Sequence, residues 1–150
     1  MSLAKLPLLL SFDGRINRLT FVGYKLAAIV VGTLAYHGKV ELAETRSLIA
    51  LPFFLVLGLV FMAAVWSSFS LSARRLHDLD CSGWLNLQIA IAVFVIMLIE
   101  QTQFWSVVVT VVFEGWLLFG PGNAEANKYG SPPARGFKTA PDEPLTTTAK

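Results

Sequence analysis

The chain has 150 residues, 55% of them hydrophobic and only 15% charged, where a soluble domain carries about a quarter charged residues. With a mean hydropathy of +0.61, this composition argues against a soluble globular protein. The formal net charge of +2 is too small to mark a nucleic-acid partner, and the single cysteine, Cys81, excludes both an internal disulfide and a CxxC redox or zinc pair.

The opening "MSLAKLPLLLSFDGR" carries a short apolar patch, Leu6 to Leu10, followed by Asp13, Gly14 and Arg15. That is too short for the core of a secretory signal and lacks a small-residue cleavage site, so the first spanning helix is expected to direct its own insertion. This helix is predicted over 19–36, interrupted only by Lys25. A second, free of formal charge, covers 48–71 and is expected to continue past the membrane surface to about His77, with Pro52 tolerated in its first turn. A third covers 84–99 and a fourth 104–119, the last carrying Glu114.

A spanning helix needs about 20 residues to cross an apolar core of about 30 Å. The second segment meets that length. The third and fourth, with 16 residues each, must recruit flanking residues or thin the bilayer. The polar "EQTQ" at 100–103 reads as the tight connection between them. The expected fold is therefore all-α: an integral membrane protein with four transmembrane helices in a small bundle over 1–130. The Pro- and Thr-rich stretch 131–150 is expected to be a flexible tail.

Orientation follows from Lys and Arg, which accumulate on the cytoplasmic side. With the N-terminus inside, Lys5, Arg15, Arg18, Arg74, Arg75, Lys128, Arg135, Lys138 and Lys150 fall inside, Lys39 and Arg46 outside, and Lys25 within the first helix. Both termini are thus expected to be cytoplasmic.

Three segments then fall on one face: "SFDGRINRLTF" (Ser11 to Phe21), "ARRLHDLDCSGW" (Ala73 to Trp84) and "PGNAEANKYGSPP" (Pro121 to Pro133). In this order they resemble the bacterial inner-membrane family called domain of unknown function 805. Its members pair an F-x-G-R-x-x-R start with an R-R-L-H-D…S-G-W centre and a P-G…N-x-Y/F-G end. The resemblance extends over nearly the whole chain and implies a small helical protein of the bacterial inner (plasma) membrane, with no established activity. Phe21 and Val22 stand where the family commonly has an aromatic Tyr-Trp pair, and Cys81 where a basic residue is common.

On the shared face, Arg15, Arg18, Arg74, Arg75, His77, Asp78, Asn127 and Tyr129 are the candidate residues for a lipid headgroup or a partner protein, with Asp13, Asp80 and Asn123 nearby. Arg74 and Arg75 precede Asp78 by four and three residues, spacings that make neighbours on a helix. Ser82 or Asp80 is expected to cap the third helix, with Gly83 turning the chain and Trp84 anchoring at the headgroup level. The bland reading is a salt-bridged turn that fixes topology; the functional one is an anion site of paired arginines for an anionic lipid. Catalysis by His77 with Asp78 is disfavoured, because adjacent helical side chains diverge by about 100°. A metal site is rejected, since two arginines flank the ligand-type residues; no cofactor is called for.

Inside the membrane, Lys25 lies about 9 Å and Glu114 about 8 Å from the cytoplasmic side at helical rise. Their matched depths predict that they face each other across the first and fourth helices. Ala28 with Gly32, Ala63 with Ser67 and Ala64 with Ser68 form small-xxx-small pairs suited to close helix packing. The leading functional expectation is a non-enzymatic structural or accessory protein that binds a lipid headgroup or another membrane protein, alone or as a homo-oligomer. The alternative is a small oligomeric transporter or channel using Glu114 and Lys25.

Overall fold

The computed structural model describes residues 9–45, 47–99 and 103–137. The described residues form four helices and no named strand: α1 (Arg18–Glu44), α2 (Leu51–Asp78), α3 (Trp84–Met97) and α4 (Gln103–Phe119). Lys5, Arg46, Lys138, Lys150 and most of the 100–103 connection lie outside the described residues.

α1 begins where Asn17, in an extended conformation, accepts a hydrogen bond from the Thr20 amide at 2.9 Å, satisfying one of the free donors of the first turn. It runs to Glu44 rather than stopping at Tyr36. The apolar pattern ends there, but His37 to Glu44 contains Lys, Glu, Leu and Ala, all good helix formers, so the helix outlasts its apolar part. Before α2, Ser47 caps a tight turn at Leu48–Ala50, and the α-helix proper starts at Leu51 with Pro52 in its first turn.

α2 reaches Asp78, one residue beyond the expected His77, and closes with paired bonds. The Cys81 amide donates to Leu76 O at 2.8 Å and the Asp80 amide to His77 O at 3.2 Å. Asp80 takes the left-handed conformation (φ 60°) between them. This is the Schellman ending in which glycine is the usual residue. Asp80 therefore terminates the second helix instead of capping the third. At α3 the N-cap position is Gly83, with no side-chain cap; Ser82 Oγ accepts only from the Trp84 amide, at 3.4 Å.

At 1.5 Å per residue, α1 and α2 are about 40 Å long, whereas α3 and α4 reach about 21 and 26 Å. Two helical stretches, Arg18–Glu44 and Leu48–Asp78, are long and apolar enough to cross a membrane; α3 and α4 are shorter apolar helices. α1 and α2 pack as a hairpin on their small residues. A β-carbon at Gly32 would lie 3.3 Å from Ala64 Cβ, and one at Gly38 3.1 Å from Leu57 Cδ1. Of the expected small pairs, Gly32 and Ala64 thus serve packing within the chain.

The buried apolar cluster of Ile16, Phe21, Leu71, Leu76, Phe113 and Leu117 sits where the start of α1 meets the ends of α2 and α4. Beyond it the helices carry large apolar side chains outward, among them Leu34, Leu59, Val111 and Phe119, while Arg15, Arg74, Arg75, Asp78, Ser70 and Ser72 are buried. A water-soluble domain inverts this distribution. The boundary of the tail also shifts: Asn17 donates to Ala134 O at 2.8 Å and to Gly136 O at 2.7 Å, and Phe137 packs on Tyr24. Residues 131–137 therefore run back along the start of α1.

Candidate functional site

The three polar segments meet at one corner, and Asp78 is its centre. The last turn of α2 is helical, so Arg75 lies one turn before Asp78 and its Nη1 pairs with Asp78 Oδ2. From the segment before α1, Arg15 donates to Asp78 Oδ1 through Nη2 at 2.9 Å and Nε at 3.1 Å. Both arginines and the carboxylate are almost wholly buried.

The remaining guanidinium donors go to main-chain carbonyls. Arg75 bonds Leu117 O at 2.8 Å and Gly120 O at 2.7 Å, at the end of α4. Arg15 bonds Glu125 O at 2.7 Å, Gly130 O at 3.3 Å and also Asn123 O. The Asn123 amide returns a bond to Asp78 O at 2.8 Å. Last-turn carbonyls lack helical partners, and arginine supplies donors for them. The guanidinium forks of Arg15 and Arg75 thus join three chain segments. Gly122 is required here, since a β-carbon would run into the Asp78 carboxylate.

Asn127 carries the return of the chain. Its Oδ1 accepts from the Tyr129 amide at 2.9 Å, and its main chain exchanges two bonds with Gly130, making a tight turn. Its Nδ2 donates to His77 O at 2.9 Å. This lays the Tyr129 ring on His77, stacked at 3.8 Å with planes 6° apart. The other edge of His77 is held through Nδ1, 3.1 Å from Gly14 O. Among the described residues the ring is held by this carbonyl and not by a carboxylate. Gly14 itself needs its freedom, with φ of 80°. Arg74 Nη2 lies on this side, 3.9 Å from where a Gly14 β-carbon would stand, while Arg18 is exposed at the α1 start.

Beside the His77–Tyr129 stack opens a cavity of about 640 Å³. His77, Ser82 and Tyr129 line its polar end, and Trp66, Phe69 and Leu87 its apolar walls. Trp66 is fixed by an edge-on contact with Phe12 at 5.2 Å. Along α2, Phe69 and Trp66 lie about 12 and 16 Å from His77 at helical rise. Polar groups thus gather by the end of α2, and Asn86, beside Phe69, adds one more among the otherwise apolar walls. Lys128 is not among the lining residues; its Nζ stands 5.0 Å from the centre of the Tyr129 ring.

Deeper in the bundle, Lys25 Nζ meets Glu114 Oε1 at 2.7 Å and donates to Ser72 Oγ at 2.8 Å. The expected pairing of α1 and α4 is thus present, with Ser72 of α2 as a third member. Several contributors went unread in the sequence: Asn17, Gly14, Ser72, Gly122 and Asn86, which bonds Phe69 O at 3.2 Å. Asn17 alone had a legible signal, a capping residue just before an apolar run. Among the described residues no cluster of His, Cys, Asp or Glu could hold a metal ion.

The family described as "Protein of unknown function (DUF805)" matches residues 9–131, which include all three polar segments except Pro132 and Pro133 at the last one's end. No curated protein and no solved structure matches the chain.

Proposed function

We propose, for a chain that belongs to the DUF805 family, a non-enzymatic integral membrane protein that holds one anionic phospholipid at its polar corner. α1 and α2 cross the bilayer, and the α3–α4 hairpin enters from the same side as the chain termini, which are cytoplasmic. Its short helices are met by local thinning or by flanking interfacial residues. Apolar side chains facing outward and buried guanidinium groups support this placement, as does the excess of Lys and Arg on that side.

The observation that carries the lipid reading is the cavity beside His77. Imidazole, phenol and hydroxyl groups by the end of α2, and tryptophan, phenylalanine and leucine walls extending about 16 Å along that helix, suit a phospholipid headgroup and upper acyl chain. Lys128 and the one positive charge left over by Arg15, Arg75 and Asp78 favour an anionic headgroup. The corner pairs act as a scaffold, and the groups that meet the lipid are His77, Ser82, Lys128 and Tyr129.

Native mass spectrometry of the full chain released from mild detergent tests the reading. Retention of one phosphatidylglycerol, reduced severalfold in His77→Gln/Lys128→Glu, supports it. Release without lipid, or equal retention by that variant, removes the lipid role.

A further inference from the structure

The Lys25–Glu114 pair does not close off its surroundings. It lies at one end of a second cavity, about 310 Å³, between the α1–α2 and α3–α4 hairpins. Ser68, Ser72, Asn86 and Thr110 add hydrogen-bonding groups, and the exposed Phe94 belongs to the otherwise apolar lining. The Lys25 side chain is 13% exposed and that of Glu114 34%. Glu114 lines the cavity and meets Lys25 through Oε1.

The electrostatics select what can enter. An anion taking Lys25 would strand Glu114 in an apolar setting, and a cation taking Glu114 would strand Lys25. Separating such a pair without compensation is strongly unfavourable. A molecule carrying both charges replaces each partner with its own opposite charge, leaving the cavity neutral. We infer that this cleft is a binding site for a zwitterion that combines a primary ammonium with a phosphodiester. The ammonium meets the Glu114 carboxylate. The phosphodiester meets Lys25 and Ser72. A primary ammonium is required, because a quaternary one has no N–H to donate. The volume sits at the low end for ligand cavities and suits a headgroup-sized molecule.

The inference rests on the membrane placement proposed above, so the two are tested separately. Alkaline extraction first shows whether the full chain stays in the membrane; its release there would overturn the placement, whatever the cleft binds. For chain that stays, two probes separate the source of the zwitterion. Isotope-labelled glycerophosphoethanolamine is measured by equilibrium binding in nanodiscs of phosphatidylglycerol alone. Phosphatidylethanolamine retention is measured by native mass spectrometry from mixed nanodiscs. Saturable binding of the first assigns a free solute, and retention of the second alone assigns a lipid headgroup. The key variant is Lys25→Met/Glu114→Met, which removes both charges and keeps the volume, a change that buried pairs commonly tolerate. It is expected to remain folded and to bind at least tenfold more weakly. Binding of neither probe by wild type, or equal binding by the double variant, overturns the site.

Discussion

Arg15 and Asp78, 63 residues apart, are joined by two hydrogen bonds to one carboxylate oxygen, at 2.9 and 3.1 Å. Arg75 takes the other oxygen. A single carboxylate thus ties the segment before α1 to the end of α2, and its two arginines extend the tie to the end of α4 and the loop beyond. Asp78→Ala should destabilise the protein by about 3–5 kcal/mol, because it leaves two buried guanidinium groups without their counter-charge. Arg15→Lys should fail to preserve stability, since an ammonium cannot span Asp78 and three carbonyls. Thermal unfolding in a fixed detergent checks both.

Glycine substitutions separate required from incidental positions. Gly122→Ala should be nearly as damaging as loss of Asp78, because the carboxylate it meets is held by two arginines and cannot yield. Gly58→Ala and Gly115→Ala meet nothing within 4 Å and should be neutral or gain up to about 1 kcal/mol in helix propensity. The same unfolding assay distinguishes the two outcomes.

Asp80 holds a left-handed conformation that costs most side chains about 1–2 kcal/mol. Asp80→Gly should therefore be neutral or stabilising. Asp80→Val should destabilise, since a β-branched residue fits that conformation worst.

The charge pair between α1 and α4 predicts a rescue. Lys25→Glu and Glu114→Lys should each cost about 1–3 kcal/mol, less than a fully buried pair because a third of the Glu114 side chain remains accessible. The double exchange should recover much of that loss in a double-mutant cycle. A double exchange no more stable than the worse single variant would contradict the pairing.

Much of this was legible in the sequence, and the gaps have physical causes. Depth along a helix is countable, so Lys25 and Glu114 could be matched before any coordinates. The gathering of Arg15, Arg75, Asp78 and Asn127 at one corner followed from putting their segments on one side. What the arginines do there was not legible. Their partners are the carbonyls of Leu117, Gly120, Asn123, Glu125 and Gly130, and carbonyls leave no mark in a sequence. Asp80 and Ser82 both looked like caps for α3, because a capping residue type does not say which of two adjoining helix ends it serves. The end of α1 was missed because charged residues stop an apolar run without stopping a helix.

Tryptophan quenching by brominated acyl chains reads directly whether a phospholipid occupies the cavity beside His77. In a Trp105→Phe/Trp116→Phe background, only Trp66 and Trp84 report, and both line that cavity. In bilayers of unlabelled phosphatidylcholine, a few mole per cent of brominated phosphatidylglycerol should quench them well beyond the same amount of brominated phosphatidylcholine. His77→Gln/Lys128→Glu should abolish the difference. Equal quenching by the two lipids in the unaltered corner would contradict the account.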